Sequence, residues 1–177
     1  MLCARPVVGN EPFAVLLADD MIDGHGQGVV SQMVGIYEKR QCSVLGVEEV
    51  PKSETDKYGI VSIAEEEGDL AQISNIIEKP KPVQAPSNLA VVGRYLLTPR
   101  IFDLLETTKR GSGGEIQLTD AIAQLLEDEQ VLSYRFKGKR YDCGSKVGYL
   151  QATVEYALKH PELNGVFREY LKGLELD

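Results

Sequence analysis

Residues 76–82 read Ile76-Ile77-Glu78-Lys79-Pro80-Lys81-Pro82, an apolar run that ends in a carboxylate, a cation and a proline. Proline cannot donate to a sheet ladder, and it biases the residue before it towards extended geometry. The pattern therefore predicts a strand that stops at Glu78 and Lys79. In open α/β sheets, ligands bind at the carboxyl ends of strands, where a carboxylate can accept from sugar hydroxyls and an ammonium can meet a phosphate. The competing interpretation is a solvated charge pair before a loop.

The composition is that of one ordinary globular domain: 177 residues, of which 43% are hydrophobic and 26% are charged. A net charge of −8 argues against nucleic acid or an anionic membrane as the main partner, because such partners require clustered Lys and Arg. Cys3, Cys42 and Cys143 are widely spaced and lack metal-ligand spacing, so they indicate reduced thiols in the cytoplasm. No apolar run approaches the roughly 18 residues of a membrane span, so we expect no membrane partner.

Apolar β-branched segments alternate with segments of helical spacing along the chain. We expect strands over 12–17, 43–50, 58–63, 69–77, 89–97 and 131–136, and a further segment, 139–143, that leads to a glycine turn. We expect helices from residue 29, over 99–107, from residue 116, and over 147–160 and 163–171. Thr98 is predicted to cap the second of these helices, with Pro99 at its first position.

This alternation predicts a three-layer α/β architecture with a mixed, mostly parallel sheet. The acidic connection at 65–68 predicts a hairpin, which must be antiparallel. In the third helix, five side chains are predicted to face the core: Ile116, Ala121, Ile122, Leu125 and Leu126. The chain is expected to form a single domain over residues 1–177, with its terminal helices, 145–173, packed beside the sheet.

Two carboxylates, Asp19 and Asp142, are each predicted at the end of a strand and are followed closely by a glycine or a loop. Carboxylates from different elements that converge on one point can hold Mg²⁺, which prefers a few carboxylates, waters and phosphate oxygens. Asp19 fits such a site better than Asp20, because it directly follows the apolar run. The alternative is that both aspartates cap turns, which is common at strand ends.

Glycines at two strands are further candidate positions for a ligand. Tyr58-Gly59 precedes a strand and Val92-Gly93 lies inside one, and glycine permits the backbone to approach a ligand closely. An ordinary turn is the alternative for Gly59. Glu115, at the start of a helix, either binds hydroxyls or favours the helix dipole. The roles of two cations stay open: Arg94 and Lys146.

Five blocks of the sequence resemble segments of one known protein family. They are Ile77-Glu78-Lys79-Pro80, Ala85-Pro86-Ser87-Asn88-Leu89-Ala90-Val91-Val92-Gly93-Arg94-Tyr95, Gly114-Glu115-Ile116-Gln117-Leu118-Thr119-Asp120-Ala121-Ile122, Tyr141-Asp142-Cys143-Gly144 and Lys146-Val147-Gly148-Tyr149. In order and approximate spacing they resemble the bacterial UTP–glucose-1-phosphate uridylyltransferases, over nearly the whole chain. The resemblance implies a Rossmann-like nucleotidyltransferase fold, a homo-oligomer, and the substrates and product UTP, glucose 1-phosphate and UDP-glucose, with release of pyrophosphate.

The resemblance also implies roles for individual residues. Mg²⁺ is the implied cofactor, with Asp19 and Asp142 as its ligands. Glu78 would bind glucose and Lys79 its phosphate, so that Lys79 acts in catalysis together with the two metal-binding aspartates. The implied substrate-binding set is Tyr58, Gly59, Glu78, Lys79, Val92, Gly93 and Glu115.

The nucleotide-binding end of that family, a Gly-rich loop with an Arg and a distal Lys, is not found between Met1 and Pro12. We therefore expect an N-terminally truncated, partial nucleotidyltransferase domain that carries the sugar and metal groups. Two alternatives remain at this point. One is a non-catalytic fragment that binds sugar phosphates or serves in assembly, and the other is a different sugar-1-phosphate nucleotidyltransferase, such as a thymidylyltransferase.

Overall fold

The computed structural model describes residues 1–111 and 114–175, so two residues of the predicted 111–114 loop lie outside the described residues. The strands are β1 Phe13–Leu16, β2 Asp20–Asp23, β3 Ser43–Glu49, β4 Gly59–Glu67, β5 Leu70–Glu78, β6 Leu89–Leu97, β7 Val131–Arg135 and β8 Lys139–Asp142. The helices are α1 Arg5–Val8, α2 Val29–Arg40, α3 Arg100–Thr107, α4 Leu118–Asp128, α5 Lys146–Lys159 and α6 Asn164–Lys172. Short 3-10 helices cover Leu2–Ala4 and Lys52–Lys57.

Six strands form one sheet in the order β1-β6-β3-β7-β5-β4. The start of β4 also pairs with β6, at Ile60 and Ala90, so five of the strands form a closed circuit. The prediction of a mixed sheet is confirmed, but the prediction that it is mostly parallel is wrong. Among the described pairings of this sheet, β3–β7 is parallel and the others are antiparallel, because β6 inserts in the opposite direction between β1 and β3 and because β4 and β5 form a hairpin.

Helices cover both faces of this sheet, which confirms the predicted three layers. On one face, Val29 and Met33 of α2 pack against Val44 and Leu96. On the other face, α3 and α4 pack against the larger core cluster, which includes Leu97. The neighbouring residues Leu96 and Leu97 serve opposite faces, as the two-residue period of a strand requires.

A second, two-stranded sheet pairs β2 with β8, in a register that sets Asp20 opposite Asp142. Helix α5 packs against this small sheet, where the ring of Tyr156 lies edge-on to Tyr141 and the Tyr141 hydroxyl donates to Glu155 at 2.8 Å. Helix α6 follows and buries none of its described residues. Within the described chain, every helix is too short or too polar to cross a membrane.

Two predictions of local structure are wrong. Thr98 does not cap α3, because its hydroxyl donates to Glu129 Oε1 at 2.6 Å and the helix begins without a side-chain cap at Pro99. Ile116 does not face the core, since it precedes α4 and is 47% exposed. The contact of Thr98 with Glu129 comes from a distant part of the chain, and α4 begins two residues later than the apolar pattern indicated.

Candidate functional site

A cavity of about 430 Å³ lies between the six-stranded and the two-stranded sheets. Seven of the predicted site residues line it: Asp19, Tyr58, Gly59, Glu78, Lys79, Gly93 and Asp142. A larger cleft, about 860 Å³, lies between α2 and the tip of the β4–β5 hairpin, and its lining includes none of these residues. The smaller cavity is therefore the candidate site, because the predicted binding and metal-ligating side chains converge there.

One side of the cavity is built around Glu78, the last residue of β5. Its carboxylate accepts a short hydrogen bond from the hydroxyl of Thr119 at the start of α4, and its side chain is only 15% exposed. Gly59 stands opposite Glu78 in the hairpin register. A Cβ atom on Gly59 would lie 3.4 Å from Glu78 Oε2 and 3.3 Å from Thr119 Oγ1, so glycine keeps the space in front of the carboxylate open.

Lys79 leaves the strand in an unexpected conformation, with φ of 45°. The prediction of extended geometry before Pro80 is wrong here. The Lys79 N–H donates to the carbonyl of Tyr58 at 2.9 Å, which holds the chain in a left-handed turn that costs on the order of 1 kcal/mol or more for a residue other than glycine. Lys79 Nζ lies 3.7 Å from Glu78 Oε1, and its side chain is half exposed at the cavity rim.

The other side of the cavity brings two carboxylates together. Asp19 Oδ2 and Asp142 Oδ1 both lie within 3.3 Å of one point, the position that a Cβ atom would take on Gly144. The Gly144 N–H donates to Asp142 Oδ1 at 3.0 Å, and the Cys143 N–H donates to the carbonyl of Asp19 at 2.7 Å. These bonds tie the end of β8 to the end of the β1–β2 connection.

The donor set of this pair fits Mg²⁺. Among the described residues, no group of three or more His, Cys, Asp or Glu side chains could enclose a metal ion. Two carboxylates that converge beside Gly144 suit a hard cation that completes its octahedron with waters and phosphate oxygens. The predicted ligands Asp19 and Asp142 are thus brought together by the fold, although a metal role remains a prediction.

Asp20, next in sequence to Asp19, is held quite differently. It is 7% exposed, and its carboxylate forms an ion pair with Arg140 Nε. Arg94 donates to the Asp20 carbonyl at 2.6 Å. Gly93 has φ of +35°, and a Cβ atom there would lie 2.4 Å from Asp20 Oδ2. Both aspartates line the cavity, but Asp20 is buried and engaged by protein contacts, whereas Asp19 is exposed.

This packing bears on Gly93, a predicted substrate-binding residue, and explains Arg94, whose role was open. Gly93 lines the cavity, and the absence of a side chain there lets the Asp20 carboxylate approach the backbone closely. A ligand contact of Gly93 stays a prediction. Arg94 is buried, and burial lowers the pKa of its guanidinium although the Asp20 carboxylate acts in the opposite direction. Its contacts to the carbonyls of Gly93 and Asp20 make it a structural residue.

Two predicted substrate-binding residues lie away from the described lining of the cavity. Val92 is 1% exposed and packs into a small cluster with Val50, Ile60 and Ala90. The Glu115 side chain is exposed, and its carbonyl accepts from the N–H of Gly111. Lys146 lines a separate shallow pocket at the start of α5. The ligand contacts of Val92 and Glu115 stay predictions.

Three residues of the site were missed at the sequence level: Tyr95, Thr119 and Arg140. The two-residue period of β8 could have indicated Arg140, because it puts Arg140 on the same face as Asp142. Thr119 sits inside one of the quoted blocks, but nothing local connects it to Glu78. Burial, with the charges of Glu78 and Asp20, raises the pKa of Tyr95 to about 12, so its phenol stays protonated at neutral pH.

Residues 2–159 match the family model described as nucleotidyl transferase. The chain belongs to the nucleotidyl transferase family. The UTP–glucose-1-phosphate uridylyltransferase of Staphylococcus epidermidis is 47% identical to this chain over 173 residues, which cover 98% of the chain and 60% of that protein. The enzyme of the same name from Pseudomonas aeruginosa is 51% identical over 154 residues, which cover 86% of the chain and 55% of that protein.

A solved structure of UDP-glucose pyrophosphorylase complexed with UDP-glucose is also similar to this chain, with a TM-score of 0.86 and 46% identity. The match covers 90% of the chain and 61% of that structure. The resemblance and the nucleotidyltransferase fold that the sequence predicted are confirmed. The chain spans about 60% of the length of the curated relatives that it matches.

Proposed function

We propose that this chain carries the sugar-binding and metal-binding groups of an enzyme that makes UDP-glucose and pyrophosphate from UTP and glucose 1-phosphate. The observation that carries the proposal is the convergence, in one cavity, of Glu78 with its Thr119 partner and of the carboxylates of Asp19 and Asp142. The relatives named for this reaction support the same assignment. The retained pair of carboxylates favours part of an enzyme over the alternative, a fragment that binds sugar phosphates without catalysis.

The sugar is recognised by Glu78 in this proposal. An ionised carboxylate only accepts hydrogen bonds, so once Thr119 occupies one position, the remaining lone pairs of Glu78 are available to the hydroxyls of glucose. Gly59 supplies the room for the ring. Lys79, at the rim and half exposed, meets the sugar phosphate as a point charge.

Asp19 and Asp142 would hold Mg²⁺, which when bound supplies charge neutralisation for phosphate oxygens. The chain's own contribution to the reaction is to position the reacting groups. A phosphate oxygen of glucose 1-phosphate attacks the α-phosphorus of UTP in line, the bond to the pyrophosphate oxygen breaks, and pyrophosphate leaves with the electron pair. Such transfers rely on alignment and electrostatic stabilisation, with little covalent chemistry from the protein. Glu78 and Lys79 fix the attacking phosphate through the sugar that carries it.

Replacement of Glu78 with Ala tests the proposal. We expect glucose 1-phosphate, titrated calorimetrically onto the chain in the presence of Mg²⁺, to bind at least about tenfold more weakly, because a buried charge-assisted acceptor is lost. The thermal midpoint should change little. Glu65→Ala, an exposed carboxylate on the same hairpin, is the matched control. Unchanged sugar affinity in a Glu78→Ala variant of normal thermal stability overturns the assignment.

We also propose that the protein works in the cytoplasm as a homo-oligomer. Its three cysteines are free thiols, which suits a reducing compartment. Exposed apolar side chains on the terminal helices, at Leu150, Val166 and Tyr170, supply surface for a second copy. Sedimentation as a monomer at micromolar concentration would rule out the oligomer.

A further inference from the structure

Arg140 connects the two sides of the cavity. Its side chain is 9% exposed, and its Nε donates to Asp20 Oδ1 in an ion pair with an equally buried carboxylate. Its guanidinium lies 5.2 Å from the centre of the Tyr58 ring, and Nη1 is 3.5 Å from the Tyr58 hydroxyl. The carbonyl of Tyr58 in turn accepts from the N–H of Lys79. A continuous set of contacts therefore runs from the aspartates to the sugar side.

The guanidinium stays charged in this position. Burial alone would lower the pKa of Arg140, but hydrogen bonds to Tyr58 and Asp20 raise it above its ordinary value. Glu48 adds a second carboxylate 3.6 Å from Nη1. A buried guanidinium with these partners is held in one orientation, because a planar group that is hydrogen-bonded on one edge and lies over an aromatic ring has little freedom to turn.

The small sheet requires a contact that fixes its two strands relative to each other. Strands β2 and β8 have four residues each, and an isolated two-stranded sheet of this size is marginally stable in water. Asp20 stands opposite Asp142 in the register, and Arg140, two residues before Asp142, lies on the same face. A slip of one residue would turn Asp142 to the other face and away from Asp19. The Asp20–Arg140 pair is a diagonal contact across the observed register, on the face that also carries Asp142.

We propose that Arg140 is a positioning residue that fixes the register of β2 on β8, and thereby sets Asp142 against Asp19 for a divalent cation while it holds Tyr58 at the sugar side. This inference rests on the proposed function, because it takes the two aspartates as the cation site. Arg140 itself touches neither the cation nor the sugar in this role.

The sign of the effect separates positioning from simple electrostatics. A guanidinium close to a cation site repels the cation, so its removal should tighten cation binding if charge alone matters. If Arg140 positions the aspartates, its removal should weaken cation binding in spite of the lost repulsion. Loss of a residue that orients metal ligands typically reduces metal affinity by about 10–100-fold.

The experiment uses Mn²⁺ as the probe and electron paramagnetic resonance of free Mn²⁺ as the readout, on the complete chain. We expect Arg140→Met to bind Mn²⁺ about tenfold more weakly than the unmodified chain, and Arg140→Lys to recover part of the loss, since lysine can pair with Asp20 but cannot stack on Tyr58 in the same way. Arg135→Met is the matched control. It removes the same charge from β7, where Arg135 pairs with Glu66, and should leave Mn²⁺ affinity unchanged.

Each outcome has a distinct meaning. Equal or tighter Mn²⁺ binding by Arg140→Met overturns the inference alone, provided that Asp19→Asn abolishes binding. Mn²⁺ binding that Asp19→Asn leaves intact overturns both the inference and the proposed metal site. If Arg140→Met does not fold, as judged by circular dichroism, Arg140→Lys decides the matter, because it keeps the buried charge paired. In that case unchanged Mn²⁺ affinity in Arg140→Lys overturns the inference.

Discussion

The two sides of the cavity are built in different ways. Glu78 and Gly59 belong to strands of the six-stranded sheet, which lies between two layers of helices and carries the large apolar core. Asp142 ends a strand of the two-stranded sheet, whose main contacts are ion pairs, aromatic edges and a helix. Apolar burial holds in place the side with Glu78 and Gly59, the proposed sugar side, and charged contacts hold the side with Asp142, the proposed metal side.

This difference predicts that the two sides of the site respond differently to pH and salt. A close-packed core changes little with pH or salt, because apolar burial does not depend on ionisation. Ion pairs weaken when a partner titrates or when salt screens it. The metal side should therefore respond to solution conditions under which the sugar side stays unchanged. Substitutions at three positions test this, one where the sides meet and one on each side.

The largest effect is expected at Gly93, where the two sides touch. Gly93→Ala would bring a Cβ atom to 2.4 Å from Asp20 Oδ2 at a positive φ, so the free energy of unfolding in urea should fall by about 3 kcal/mol. Gly68→Ala is the control, since Gly68 also has a positive φ, of 62°, but no atom within 4 Å of the added carbon. It should lose about 1 kcal/mol. Equal losses in the two variants would show that Asp20 does not constrain Gly93.

An intermediate effect is expected at Thr119, on the sugar side alone. Thr119→Val removes the hydroxyl that donates to Glu78 but keeps the shape of the side chain. Glucose 1-phosphate should then bind about fivefold more weakly, because the carboxylate loses a fixed donor that orients it. Thr119→Ser should restore the affinity, and Mn²⁺ binding should be unchanged in both variants. A parallel fall in Mn²⁺ affinity would contradict the separation of the two sides.

The smallest effect is expected at Asp23, on the metal side. Hydrogen bonds from Lys159 and from the N–H of His25 lower the pKa of Asp23 below 3.8. A lowered folded-state pKa stabilises the protein above the unfolded value, and this contribution disappears as the pH falls through the folded pKa. Asp23→Asn should therefore lower the thermal midpoint by less than about 4 °C at pH 7, and this difference should shrink as the pH falls through the lowered folded-state pKa.

The matched control for that measurement is Asp69→Asn, an exposed aspartate at the tip of the β4–β5 hairpin, 3.7 Å from Lys137. Its thermal midpoint should follow that of the unmodified chain at every pH. A constant difference between Asp23→Asn and the unmodified chain from pH 7 to pH 3 would mean that ionisation of Asp23 does not support α5.

Much of the fold follows from the sequence because its signals are local. Strands and helices with a clear apolar period were predicted within a few residues, and the strand that ends at Glu78 ends there in the structure. The insertion of β6 between β1 and β3 could not be predicted, because pairing order depends on contacts between distant segments. The same limit explains Thr98, whose hydroxyl finds an acceptor 31 residues away.

The site could be predicted in part for the same reason. Asp19 and Asp142 were identified from strand ends, and Glu78 from an apolar run, and all three line the cavity. The positive φ of Lys79 depends on a hydrogen bond to Tyr58, which only the tertiary fold supplies. Thr119 and Arg140 were missed because their partners, Glu78 and Asp20, lie 41 and 120 residues away in sequence.

The central position of β6 has a consequence for the order in which the chain opens. Tyr95 and Leu96 of β6 pair with β1 on one side and β3 on the other, and Ala90, near the start of β6, pairs with both β3 and β4. The amide hydrogens of β6 point alternately to the two neighbouring strands, so complete exchange of β6 requires that strands on both sides separate, whereas α6, with no buried residue among those described, can detach alone. In deuterated water the carboxyl-terminal helix should exchange its amides first and β6 last, with the small sheet between them.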